Sequence, residues 1–156
     1  MVCFTRYSGG PVKFSPKYLG SIPQIKTHFR LDSIINMENG DVFDAEVLKG
    51  QPVIAFCGIA KPEGFRQILQ DVQVQLKTFK AFPDHHEYSL NDVKELESIA
   101  SQEGAKYILV SEKDAVKLKG MKFSLPFFKV VIDLEILEGR EIFNKKITAT
   151  TSRRGN

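Results

Sequence analysis

From residue 52 onward, short apolar runs alternate with segments of helical periodicity, and this alternation restricts the fold more than any other feature of the chain. Residues 53–57 (Val-Ile-Ala-Phe-Cys) form a continuous apolar run, which is typical of a strand buried on both faces. Gly58 permits a turn after this run, and Pro62 suits the first position of a helix. The next apolar residues have the spacing of one helix face; they are Phe65, Ile68, Leu69 and Val72.

The same alternation continues as far as residue 132. Residues 74–79, 107–110 and 127–132 indicate three more strands. Ser89 can cap a helix, with Asp92 in the acidic position of a capping box. The apolar stripe of that helix consists of Leu90, Val93, Leu96 and Ile99. Strands separated by helices favour the α/β class, and we predict a three-layer, Rossmann-like lobe with a mostly parallel sheet.

The two ends of the chain lack this pattern. Residues 1–49 indicate a connecting region that holds a two-stranded β linker, with a turn at Asn39-Gly40-Asp41. Its predicted parts are a short strand at 2–5, an irregular connection at 8–23, and hairpin strands at 28–35 and 42–48. We therefore predict a connection over 1–49, an α/β lobe over 50–137 and a flexible, basic, polar tail over 138–156.

Composition excludes several classes of protein. The 156 residues carry a net charge of only +3, which does not favour nucleic-acid binding, although the basic balance is compatible with an anionic ligand or membrane surface. Cys3 and Cys57 are too few and too far apart for a disulfide framework or a cysteine metal site. The sequence has no signal-peptide pattern and no apolar run long enough to span a bilayer. We expect a chain that is cytosolic or peripheral to a membrane.

The segment Phe82-Pro83-Asp84-His85-His86 follows a predicted strand and precedes a predicted helix. Ligands of open α/β sheets bind at such junctions. His85 can take up a proton near neutral pH, and Asp84 can hold its ring in one tautomer. A surface turn built from Asp and His is an equally good interpretation. We expect His86 to be a solvent-facing neighbour.

The segment Ser111-Glu112-Lys113-Asp114 lies at a second junction of the same kind. Helix capping accounts for Ser111 and Asp114, but a cation in a first helical turn opposes the helix dipole. Lys113 therefore indicates a ligand or an ion pair. Gly58 lies at a third junction, where backbone N–H groups can face an anion, although turn and helix-start chemistry explains that segment more simply.

Three common site patterns are absent from the sequence. It contains no Gly-x-x-x-x-Gly-Lys-Ser/Thr phosphate loop, no Cys/His cluster with zinc spacing and no Gly-x-Ser-x-Gly elbow. No metal site is predicted for this chain.

In order and spacing, three motifs together resemble the C-terminal half of the tetraacyldisaccharide 4′-kinase family of lipid A biosynthesis in Gram-negative bacteria. They are Ala55-Phe56-Cys57-Gly58-Ile59-Ala60-Lys61-Pro62, Ala81-Phe82-Pro83-Asp84-His85-His86 and Ser111-Glu112-Lys113-Asp114-Ala115-Val116-Lys117. The resemblance covers residues 50–135 well and the first 49 residues more loosely. It differs in a detail at Ser111, where the family usually has Thr.

The resemblance implies a kinase that uses ATP and Mg²⁺ to phosphorylate the 4′-hydroxyl of a lipid A disaccharide precursor at the cytoplasmic face of the inner membrane. It implies that His85, with Asp84 beside it, assists a catalytic base across a cleft. Glu112, Lys113, Asp114 and Gly58 would line or support that cleft. The family's N-terminal nucleotide-binding lobe, with its phosphate loop, metal ligands and base, has no counterpart in these residues. The chain alone is therefore expected to be inactive, to bind no cofactor, and to need that lobe as a partner.

Two other functions are compatible with the sequence. The chain can be a non-catalytic module of a split enzyme, which docks the other lobe or binds a sugar-lipid. Asp84-His85-His86 is also a metal-binding tripeptide of a phosphoesterase family, but that chemistry requires further carboxylates at the strand ends, where this chain has Gly58.

Overall fold

The computed structural model describes residues 2–4 and 22–151. Its strands are β1 (Val2–Phe4), β2 (Gln24–Asn36), β3 (Val42–Asp44), β4 (Pro52–Cys57), β5 (Gln75–Ala81), β6 (Tyr107–Ser111) and β7 (Phe127–Glu138). Its α-helices are α1 (Pro62–Asp71), α2 (Leu90–Gln102), α3 (Glu112–Ala115) and α4 (Arg140–Thr151), and 3₁₀ turns cover Ala45–Leu48 and Val116–Leu118. The strands and helices predicted between residues 52 and 132 are all present, in the predicted order.

The described residues fall into two compact units. Residues 31–133 form the larger unit, and the described residues before Leu31 and after Asp133 belong to the smaller one. Strands β2 and β7 contribute residues to both. The prediction of a connection, a lobe and a tail divides the chain at different positions.

The larger unit is built on a mostly parallel sheet, as predicted. Strand β4 pairs in parallel with β5 on one side and with β6 on the other, and β6 pairs in parallel with β7. The strand order is β2-β7-β6-β4-β5. Because β4, β5 and β6 run in one direction, their carboxyl ends meet at the same edge of the sheet.

Helices cover both faces of this sheet. Ile54 and Phe56 of β4 are fully buried in one cluster with Val93 and Leu96 of α2. Phe79 of β5 is the register partner of Ala55, and side chains alternate along a strand. Phe79 therefore points to the opposite face from Phe56. The ring of Phe65 in α1 packs on Phe79 with centroids 6.2 Å apart, so α1 and α2 form the two outer layers.

The predicted hairpin is shorter than expected. Strand β3 pairs antiparallel with β2 through Ile34 and Phe43, across a turn in which Gly40 has φ +80°. Residues 45–48 were predicted to continue the strand but form a 3₁₀ turn. Asp44 causes this change, because its side chain accepts a hydrogen bond from the backbone N–H of Glu46 at 2.8 Å and turns the chain.

The smaller unit contains a helix where the sequence indicated a polar tail. Strand β1 pairs in parallel with the start of β2, and Lys26 forms an ion pair with Glu138 at 2.8 Å. Gly139 (φ +82°) ends β7, and α4 follows. Apolar residues are sparse in α4, which explains why its helical spacing was not recognised. Residues 8–21 of the predicted irregular connection lie outside the described residues.

Among the described residues, no helix is both long and apolar enough to span a bilayer.

Candidate functional site

The predicted site residues come together at the carboxyl edge of the parallel sheet. Gly58 follows β4, Phe82 follows β5 and Ser111 ends β6. The backbone N–H of Phe82 donates to the carbonyl of Cys57 at 2.8 Å, and the N–H of His85 donates to the carbonyl of Gly58 at 3.3 Å. These bonds attach the loop after β5 to the end of β4.

Residues 83–86 form a tight turn at this edge, here called the 83–86 turn. The N–H of His86 donates to the carbonyl of Pro83 at 3.1 Å. His85 has φ 62°, in the left-handed region that non-glycine residues seldom adopt. Its N–H also donates to Asp84 Oδ1 at 3.1 Å. The side chain of His85 is 75% exposed, so the turn presents its imidazole to solvent.

Asp84 is paired with Lys113 and not with the His85 ring. Lys113 Nζ lies 3.3 Å from Asp84 Oδ1, whereas His85 Nε2 lies 3.7 Å from Asp84 Oδ2, too far for a hydrogen bond. Partial desolvation acts to raise the pKa of Asp84, but the Lys113 hydrogen bond and the nearby His85 and Lys113 outweigh it and lower that pKa. The ion pair explains why a cation occupies the first turn of α3.

Asp114 connects two loops of the site through its buried side chain. Its side chain is fully buried, and Oδ2 accepts hydrogen bonds from the Gly58 N–H at 2.8 Å and from Ser111 Oγ at 2.5 Å. Ser111 Oγ in turn caps α3 by accepting from the Asp114 N–H at 3.2 Å. One carboxylate thus joins the ends of β4 and β6. Asp114 does not line an open cleft, because its side chain is enclosed.

Gly58 lies where the side chain of a larger residue would crowd neighbouring atoms of the site. A Cβ on this residue would stand 3.1 Å from the carbonyl oxygen of Pro83, 3.1 Å from Tyr88 Oη and 3.3 Å from Asp114 Oδ1. These separations are shorter than ordinary carbon–oxygen contacts. Glycine therefore permits the close approach of the 83–86 turn, and a Cβ here would force these neighbours to shift.

His86 is partly buried against two aromatic rings, with 25% of its side chain exposed, so the expectation of a solvent-facing neighbour was wrong. Its ring stacks on Phe82 with centroids 4.5 Å apart and meets Tyr88 edge-on at 4.9 Å. Its Nε2 lies 3.4 Å from Asp92 Oδ2. Burial, followed by the Asp114 carboxylate, raises the pKa of Tyr88. Aromatic residues repeating through this short loop were the available sequence signal.

Lys117 is a second residue that sequence reasoning missed. Its Nζ donates to the carbonyl oxygen of His86 at 2.9 Å and lies 3.7 Å from Asp114 Oδ1. Glu112, by contrast, forms an ion pair with Lys129 of β7 at 3.2 Å. Lys113 and Lys117 therefore both hold the 83–86 turn, whereas Glu112 is directed to the neighbouring strand.

The described residues offer no assembled metal centre. Within residues 2–4 and 22–151, no group of three or more His, Cys, Asp or Glu side chains is placed to hold a metal ion. A groove of about 460 Å³ lies beside the segment 115–123, lined among others by Met37, Val116 and Phe123. None of the predicted site residues lines this groove.

Comparison with known proteins gives one family. A sequence model described as "LpxK: Tetraacyldisaccharide-1-P 4'-kinase" matches residues 10–151. The tetraacyldisaccharide 4'-kinase of Syntrophus aciditrophicus is 34% identical over 105 residues, which are 67% of this chain and 28% of that protein. That of Pelobacter propionicus is 36% identical over 107 residues, 69% of this chain and 30% of that protein. The chain thus spans about 30% of the length of these relatives.

A solved structure confirms the fold. The crystal structure titled "apo" form LpxK from Aquifex aeolicus in complex with ATP aligns with a TM-score of 0.59 at 23% identity, over 94% of this chain and 42% of that one. Because the family model covers most of the sequence, this chain belongs to the tetraacyldisaccharide-1-P 4'-kinase family.

Proposed function

We propose that these residues form the histidine-bearing lobe of a tetraacyldisaccharide 4′-kinase, which transfers the γ-phosphoryl group of ATP to the 4′-hydroxyl of the lipid A disaccharide precursor. The observation that carries the proposal is the exposed His85 imidazole on a fixed turn at the carboxyl edge of the sheet. Ligands bind at this edge in open α/β folds. The family match over residues 10–151 supports the same assignment.

In this proposal His85 handles the proton of the acceptor hydroxyl, either directly or by orienting a carboxylate base. A ring nitrogen can accept or return a proton near neutral pH. Asp84 remains ionised, because its lowered pKa keeps it charged at neutral pH. Its pairing with Lys113 leaves the imidazole free of a strong hydrogen bond to its neighbour. The ring can therefore face a second lobe.

The residues present do not by themselves fit ATP with Mg²⁺. The sequence has no phosphate loop, and its described residues bring no three potential metal ligands together. Phosphoryl transfer depends on groups that position and neutralise the phosphates. We propose that these groups belong to a nucleotide-binding lobe outside the 156 residues, so that this chain alone neither binds ATP tightly nor turns over.

The proposed acceptor also indicates the cellular location of the reaction. Its acyl chains keep the substrate in a membrane, and the ATP that it requires is supplied by the cytoplasm, so we propose that the complete kinase acts at the cytoplasmic face of the inner membrane. The basic character of the chain, with a pI near 8.8, is compatible with an anionic surface. We propose peripheral contact, made by the complete enzyme.

The experiment combines this chain with a nucleotide-binding lobe taken from a relative of the family. Transfer of labelled phosphate from ATP to the disaccharide lipid is measured for the mixture, for a covalent fusion and for each part alone, and phosphorus NMR locates the new phosphate. The proposal expects a 4′-phosphate from the combined parts only. If a lobe that binds ATP gives no transfer in either arrangement, the proposed function is wrong.

A calorimetric titration of ATP and Mg²⁺ into this chain tests separately whether the nucleotide site belongs to another lobe. We expect no binding in the micromolar range. Micromolar binding would contradict the assignment of the nucleotide site to another lobe, whatever the transfer assay shows.

A further inference from the structure

We propose that Lys117 is a positioning residue that holds the 83–86 turn in the conformation that presents His85. Lys117 lies in the 3₁₀ turn after α3, 31 residues from the carbonyl of His86 to which its Nζ donates. The consequence for catalysis depends on the proposed function of His85; the consequence for the conformation of the turn does not.

The backbone of the turn is hydrogen-bonded at both of its histidine N–H groups and at the carbonyls of Pro83 and His86. The N–H of His85 is shared between Gly58 and Asp84, and the N–H of His86 bonds to Pro83. The carbonyl of His86 accepts from Lys117. A left-handed residue such as His85 persists when its surroundings over-determine its conformation. Lys117 supplies the contact that fixes the carboxyl end of the turn.

The position of the Lys117 ammonium is itself fixed. Its side chain is only 18% exposed, and a buried ammonium requires compensation by polar partners. Asp114 Oδ1 lies 3.7 Å away and has no hydrogen-bond partner among the described residues. The centroid of the Tyr88 ring lies 6.0 Å from the ammonium. The ammonium is therefore held between a carboxylate and the carbonyl it binds.

Asp114 links both attachments of the turn. Its Oδ2 accepts from the N–H of Gly58, whose carbonyl accepts from His85. Its Oδ1 faces Lys117, which bonds to His86. The same buried carboxylate thus contacts both Gly58 and the Lys117 ammonium, which each bond to the backbone of the turn. Lys113 differs, because its side chain is half exposed and contacts the Asp84 side chain, not the backbone.

The test compares Lys117→Met and Lys117→Arg with Lys119→Met in the full chain. Lys119 lies two residues away and is exposed, and its side chain forms no ion pair or hydrogen bond within the described residues, so it is the matched control. Hydrogen exchange of the His85 and His86 amides is followed by NMR. We expect exchange at least tenfold faster in Lys117→Met, within about threefold of wild type in Lys117→Arg, and unchanged in Lys119→Met. Unchanged exchange in Lys117→Met would overturn the proposal.

Lys117→Met leaves the Asp114 carboxylate without its counter-charge, so it can unfold the chain. The double variant Asp114→Asn/Lys117→Met removes both charges and avoids an unpaired buried group. The proposal expects faster exchange at His85 and His86 in this variant too, while the amides of β4 keep their protection. Full protection of the turn would overturn it.

Activity is then measured with the second lobe present. Lys117→Met should lower kcat at least tenfold and change KM for either substrate less than twofold, since a displaced catalytic group affects the chemical step. A loosened turn with unchanged kcat would overturn the catalytic consequence. If the wild-type combination is inactive, the proposed function fails, while the exchange data still decide the role of Lys117.

Discussion

Replacing Asp114 by Asn tests whether one buried carboxylate holds the site together. The substitution keeps the shape of the side chain and removes its charge. The side chain of Asp114 accepts two hydrogen bonds, from the Gly58 N–H at 2.8 Å and from Ser111 Oγ at 2.5 Å. It also faces the ammonium of Lys117 at 3.7 Å. All three interactions weaken in the variant.

The expected loss of stability follows from these contacts. A hydrogen bond to a charged group contributes about 1.5–3 kcal/mol, and one between neutral groups about 0.5–1.5 kcal/mol. Converting two bonds from the first kind to the second costs about 2 kcal/mol. The Lys117 ammonium lies 3.7 Å from Asp114 Oδ1, beyond hydrogen-bond distance, and keeps its bond to the His86 carbonyl, so loss of this counter-charge adds about 1 kcal/mol to that cost. We expect a total loss of about 3 kcal/mol in the free energy of unfolding.

Urea unfolding followed by circular dichroism measures this loss. With an m-value of about 2 kcal/mol/M, the midpoint should fall by about 1.5 M. Asp44→Asn is the matched control, because Asp44 makes a similar capping bond at 2.8 Å on the exposed surface and Asn caps as well as Asp. It should change stability by less than about 0.5 kcal/mol. A loss below about 1 kcal/mol in Asp114→Asn would refute the reasoning.

Three further predictions concern other groups at the same edge. Gly58→Ala should destabilise the chain by about 1–2 kcal/mol in urea unfolding, because its methyl group would crowd a backbone carbonyl and a tyrosine hydroxyl; an unchanged midpoint would contradict this. NMR should find the pKa of Asp84 below the ordinary range of an aspartate, and Lys113→Met should raise it. Because the folded pKa is lowered, the stabilisation from this pair is present above the unfolded value and is lost as the pH falls through the folded one; an unshifted pKa would contradict the pairing. Burial, followed by a nearby carboxylate, raises the pKa of Cys57 to about 11, so a thiol reagent at pH 8 should modify it only in urea, whereas the exposed Cys3 reacts in the native chain; rapid labelling of Cys57 itself in the native chain, located by peptide mass spectrometry, would show that its thiol is accessible.

Patterns local in the sequence predicted the framework of the fold. The run 53–57 became strand β4, because an unbroken apolar run is stable only when buried on both faces. Ser89 and Asp92 form the expected capping box, with reciprocal bonds of 2.7 and 3.2 Å. Capping depends on residues three positions apart, so sequence spacing is enough to find it.

Contacts between distant segments were not predictable in the same way. Lys117 reaches His86 across 31 positions, and Gly58 meets Asp114 across 56. Phe82 and Tyr88 lie close to His86 in the sequence and indicate an aromatic cluster, but their spacing does not define the contacts; the fold stacks the Phe82 ring on His86 and sets the Tyr88 ring edge-on to it. The alternation of strands and helices predicts that the loops after β4, β5 and β6 lie at one edge of the sheet. Which side chain bonds to which loop is defined only by the packed structure.

The rate of phosphate transfer by His85→Asn tests the central claim most directly. Asn tolerates the left-handed backbone of this position and lacks the imidazole. With the nucleotide-binding lobe present, kcat should fall by about 10²–10⁴, while the free energy of unfolding stays within about 0.5 kcal/mol of wild type, because the ring is exposed. Glu87→Ala, an exposed change in the same loop, should leave both quantities unchanged. A rate within threefold of wild type in His85→Asn would contradict a catalytic role for His85 and favour a docking module.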